Sequence, residues 1–159
     1  MAIYHSERPQ LPSPDRVNSH GAWNRVFGLV EALYLCGFSD DAAALAPLIE
    51  HALEHGPDWI TFDGRIVRTR AAVAAAAGGH WEAAERHFAV AEQHVKQMDN
   101  RLEETELLRL RARMLLERAG PGDAAQAAKL QEKALNDYRG FGMPTYAAEM
   151  ERMLRETRG

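Results

Sequence analysis

From residue 19 onward apolar residues return every three to four positions, and glycine, proline and polar breakers interrupt the runs. That is the period of helices with one buried face. Trp23, Val26, Phe27, Val30, Leu33 and Tyr34 form the first stripe, in "SHGAWNRVFGLVEALYLCG", and Gly37 stands where a helix C-cap belongs. The second run, "SDDAAALAPLIEHALEHG", opens on Ser39 as N-cap with two first-turn acids and closes at Gly56 and Pro57. Pro47 inside it predicts a kink near residues 43–46. Further helices are predicted from about Asp63 to Ala77, His80 to Met98, Leu102 to Ala119, Asp123 to Tyr138 and Thr145 to Arg155, with "GPGD" and "GFGMP" marking the last two junctions. No strand-like alternation of four or more residues occurs outside loops. The chain is therefore predicted to be all-α, about seven helices joined by short turns into antiparallel hairpins.

The segment "AAVAAAAGG" at the end of the third helix offers small residues that let a neighbouring backbone come close. "DDAAALAPLIEHAL" and "WEAAERHFAVAEQHV" align with an offset of 41 residues. In that alignment Ala84, Phe88 and Ala91 match the small, aromatic, small spacing with which the second helix of a tetratricopeptide (TPR) repeat nests against its partner; Trp81 takes the large position ahead of them. Ala127, Gln131 and Ala134 repeat the spacing more weakly. Over roughly residues 20–155 the chain resembles tetratricopeptide repeats. The stretch "LRLRARMLLERAGPGDAAQAAKLQEKALNDYRGFGMPTYAAEMERML" is similar to the C-terminal repeat tails of bacterial LuxR/MalT-type ATPase regulators and of multidomain nucleotide cyclases and kinases. Unlike those regulators, the sequence holds no GxxxxGK[ST] phosphate loop and no separate DNA-binding helix pair, so it reads as an isolated tail or a stand-alone relative.

The resemblance implies a TPR-like right-handed superhelix whose first helices line a concave groove, and hence a function in binding. In the repeat register the groove candidates are Arg25, Thr69, Arg109 and Arg113, the last two one turn apart and suited to clamping a carboxylate. The competing and stronger reading pairs Arg109, Arg111 and Arg113 with Glu103, Glu104, Glu106 and Glu117 at three- and four-residue spacing on the same helix.

Composition narrows the partners. With 46% hydrophobic and 26% charged residues, the 159-residue chain has the profile of one globular domain, residues 19–159, preceded by an arm or linker over residues 1–18, where Pro9, Pro12 and Pro14 disfavour helix. Its 19 basic against 23 acidic residues argue against a nucleic-acid footprint. The absence of a secretory leader or a long apolar run points to a cytoplasmic protein off the membrane. Cys36, the only cysteine, is expected to be a buried inert thiol, and "GFSDD" lacks the second glycine of a G-x-S-x-G nucleophile elbow. Trp59 and Phe62 are expected to cap the core between the second and third helices. If an upstream repeat once covered Trp23 and Phe27, their face is now bare and the chain should form homo-oligomers.

Seven histidines remain. His80, His87 and His94 recur every seven residues, so neighbours stand about 10.5 Å apart along a helix, too far for two of them to share one ion. His51 and His55, four apart, are neighbours on a helix surface, and the 41-residue offset brings His94 level with them. Two classes of function follow. The first is an interaction or scaffold module, without cofactor, that binds a protein or peptide segment or a small effector. The second is a metal-dependent hydrolase of esters or phosphoesters in which His51, His55 and His94 hold zinc and Glu54 or Asp58 serves as base.

Overall fold

The computed structural model describes residues 11–12, 20–55, 64–97 and 99–159. Most of the proline-rich arm, and Trp59 and Phe62, lie outside the described residues. The helical segments are α1 (His20–Leu35), α2 (Ser39–Ala43), α3 (Ala46–His55), α4 (Gly64–Ala77), α5 (Trp81–Gln97), α6 (Arg101–Arg118), α7 (Asp123–Gly140) and α8 (Pro144–Arg158), and no strand occurs among the described residues. The chain is all-α, as the apolar period predicts.

Local chemistry sets most of the boundaries. Gly37, Gly79 and Gly142 each take a left-handed backbone that ends a helix, and in each case the following N–H reaches back five residues to a helical carbonyl, as from Phe38 to Leu33. The predicted second helix is interrupted at residues 44–45 and resumes as α3, so Pro47 falls in a first turn, where its missing N–H removes no helical bond. Ser39 does not cap that helix. Phe38 holds the N-cap position and its carbonyl accepts the Ala42 N–H, which leaves Ser39 already inside the first turn. Asn100 caps α6 by accepting the Glu103 N–H at 3.2 Å.

Two compact units divide the chain, Met1–Ala91 and Glu92–Gly159, with the division inside α5. In the first unit α4 packs against α1, α2 and α3. Where its C-terminal half is covered on so many sides its residues are apolar and small: Ala71, Ala72, Val73, Ala74 and Ala76 are all buried. Trp23 and Phe27 are buried too, so the bare apolar face expected on the first helix, the premise for self-association, is covered. In the second unit α7 packs between α6 and α8 around Leu108, Leu135, Tyr138, Met150 and Leu154.

The small, large, small positions singled out from the sequence are buried in both units. Ala84, Phe88 and Ala91 are 0% exposed, and so are Ala127, Gln131 and Ala134. Cys36, by contrast, is exposed, a correction to its expected burial. It lies in the turn just past α1, four residues after the exposed Ala32, whereas the core stripe ends on Leu33 and Tyr34.

Candidate functional site

The alanines that let α4 sit among its neighbours also leave space. Ala43, Ala46 and Ile49 on α2 and α3, Ala74 and Ala75 on α4 and Ala83 on α5 enclose a cleft of about 190 Å³ in the first unit. Three polar side chains complete its lining: Glu50, His80 and His87. Gly78 makes room for one of them, since a Cβ there would lie 3.0 Å from Cδ2 of His80.

His87 is the most constrained of the three. Its Nδ1 lies 3.4 Å from Nη1 of Arg68, and arginine has only protons to donate, so Nδ1 accepts and the proton of the neutral ring sits on Nε2. Nε2 faces Oε1 of Glu50 at 3.6 Å, beyond hydrogen-bond reach but within electrostatic range. Burial holds the ring below its ordinary pKa; Glu50 opposes the shift, and Arg68 and Arg86 reinforce it. The His87 side chain is 16% exposed against 56% for Glu50, so the carboxylate stands largely in solvent while the imidazole is mostly covered. The cleft thus combines an apolar floor, a neutral N–H donor and a solvent-facing acceptor. It can hold a small apolar group and orient a polar neighbour of that group.

The residues singled out from sequence fall elsewhere. Arg25 is exposed on α1 and Thr69 is buried on α4, and both make interactions of their own. Arg109 is buried on α6, with Nε 3.0 Å and Nη2 2.7 Å from Oε2 of Glu106 and Nη1 4.0 Å from Glu149. The Tyr138 hydroxyl donates to Oε1 of the same Glu106 at 2.6 Å, and burial together with that bond pushes the Tyr138 pKa up. Arg113 donates from Nε to Glu117 at 2.7 Å. The pairing at three- and four-residue spacing is therefore made at both arginines, and an incoming carboxylate would have to displace Glu106 or Glu117.

His51 and His55 lie together on α3, with ring centroids 4.2 Å apart, and His51 also stacks on Trp23 at 5.7 Å. His94 belongs to the second unit. Among the described residues no three His, Cys, Asp or Glu side chains group so as to hold a metal ion.

Sequence reasoning missed the pairing of Glu50 with His87. The signal available was the concentration of alanine at residues 43–46, 71–77 and 83–84, small residues on three segments that close on one another. A larger and more open depression of about 550 Å³ lies at the α7–α8 turn beside Met143 and Ala147, with Arg139 and Glu151 ion-paired at its edge. No helix among the described residues is long and apolar enough to cross a membrane. Comparison with protein-family models, with curated proteins and with solved structures finds no match for the chain.

Proposed function

We propose that the chain is a helical-repeat interaction module, built of tetratricopeptide-like hairpins, that holds one apolar side chain of a protein or peptide partner in the α2–α5 cleft. The observation that carries this reading is the size and lining of that cleft. Small-molecule sites occupy roughly 300–1,000 Å³, whereas a cavity of about 150 Å³ is enough for a benzene ring. At about 190 Å³ the cleft suits a single leucine- or phenylalanine-sized anchor better than a whole effector. One deeply seated side chain surrounded by weaker contacts is how many interfaces concentrate their affinity. The Nε2–H of His87 and the carboxylate of Glu50 would bond the backbone next to the anchor. The shared burial pattern of Ala84, Phe88, Ala91 and Ala127, Gln131, Ala134 supports the repeat character.

Selection of a random peptide library on the full chain tests the proposal. Enriched peptides should share one apolar anchor position, and Ala75→Leu, which fills the cleft, should abolish their binding while the helical content stays the same. Binding that survives Ala75→Leu would refute the cleft as the site. Failure to enrich any peptide would refute the interaction reading.

A further inference from the structure

We propose that His51 and His55 form a two-imidazole clasp for a divalent transition-metal ion, Cu(II) above others, with water completing the coordination. This inference is independent of the peptide-binding reading, because it uses neither His87 nor the alanine cleft. The two rings project from one face of α3, four residues apart, with centroids 4.2 Å from each other. Nδ1 of His55 lies 3.0 Å from the main-chain carbonyl of His51, and a carbonyl only accepts. Nδ1 therefore carries the proton, and Nε2 keeps its lone pair on an exposed side chain. Such a bond from the non-liganding nitrogen to a backbone carbonyl is what fixes the tautomer and orientation of a metal-binding histidine. The buried Trp23 stacks on His51 and limits where its ring can go.

Ligand number selects the ion. Among the described residues no third His, Cys, Asp or Glu joins the pair, so the donor set they offer is two nitrogens, with solvent to complete it. Zinc sites take three or four protein ligands. Cu(II) leads the divalent series in affinity and accepts a tetragonal arrangement of nitrogen and oxygen donors, which two neighbouring imidazoles and water supply. The rings are stacked, at 25° to one another, rather than aimed at a common point. Uptake of an ion therefore turns the His51 ring about its Cβ–Cγ bond and disturbs its stack on Trp23, while His55 keeps its bond to the main-chain carbonyl.

The test is a Cu(II) titration of the untagged full chain carrying Trp59→Phe and Trp81→Phe, so that Trp23 alone reports by fluorescence, with electron paramagnetic resonance to count coordinating nitrogens. The expected result is a saturable quench complete at one equivalent, with two imidazole nitrogens in the spectrum. His55→Ala, at an exposed position, should remove it, and His94→Ala should leave it unchanged. The clasp is overturned by a parent with no one-equivalent phase, by a phase that survives His55→Ala, or by a third nitrogen that disappears in His94→Ala. His51→Ala should also remove the phase, with the thermal transition checking that the α1–α3 packing survives.

Discussion

Gln131→Leu is expected to stabilise the protein. Gln131 occupies the large position of the small, large, small stripe on α7, is 0% exposed, and neither polar atom of its side-chain amide has a hydrogen-bond partner among the described residues. Its stripe neighbours Ala127, Ala134 and Tyr138 are equally buried. An amide buried without a partner costs about 1–3 kcal/mol on the scale of protein mutational data. Leucine removes that penalty and keeps an apolar side chain of similar size in a helix interior, where its propensity is at least as good. The net gain should be about 1–3 kcal/mol, which for a chain of this length raises the melting temperature by several degrees at about 2–4 °C per kcal/mol. Urea unfolding followed by far-ultraviolet circular dichroism measures the change as a shift in midpoint at constant slope. A loss of about 1 kcal/mol or more would mean that the amide is hydrogen-bonded in solution, and the reasoning from burial would fail.

Three further outcomes follow from the same packing. Phe88→Ala should cost about 3–5 kcal/mol, because the ring is wholly buried, and a loss below about 1 kcal/mol in urea unfolding would refute the register. Ala119→Gly should add about 0.5–1 kcal/mol, since Ala119 ends α6 at φ 51°, a left-handed conformation in which a Cβ is strained; an unchanged midpoint would refute that strain. Burial holds His87 below its ordinary 6.5, so as pH falls below that value the unfolded chain takes up a proton before the folded one does. Stability present above 6.5 is lost as pH falls through the depressed value, and His87→Gln should narrow the gap between urea midpoints at about pH 7.5 and about pH 5. An unchanged gap in that variant would show that His87 titrates normally.

What could be read from the sequence was what depends on near neighbours. The period of Trp23, Val26, Phe27, Val30, Leu33 and Tyr34 marks a buried face whatever packs on it, and all six are buried. Gly37 and Pro47 act through their own backbone, so the C-cap and the break before α3 were both predictable. Ser39 and Cys36 failed for a related reason. A shift of one residue in a helix start turns a cap into a first-turn residue, and the last residue past a stripe changes face with 100° of rotation. Charge pairs divide the same way. Arg109–Glu106 and Arg113–Glu117 follow from spacing on one helix, whereas Arg111–Glu92 at 3.4 Å and Lys133–Glu104 join residues on different helices and needed the fold.

The cleft lies beyond local reading because it follows from a conflict that only packing creates. α4 has neighbours on several sides, and the nearer those helices come, the smaller its side chains must be; alanine at 71, 72, 74 and 76 meets that demand. Close approach of backbones does not guarantee filled space, however, because alanine does not fill the gap that residues of α2, α3, α4 and α5 line. A larger residue at 74 or 75 would close the gap at the risk of pushing the helices apart, the overpacking that destabilises cores. The residues that tighten the first unit thus also open its cleft, and the polar groups at its edge, His87 beside Arg68 and the more exposed Glu50, set a donor and an acceptor beside an apolar floor, as the proposed anchor site requires.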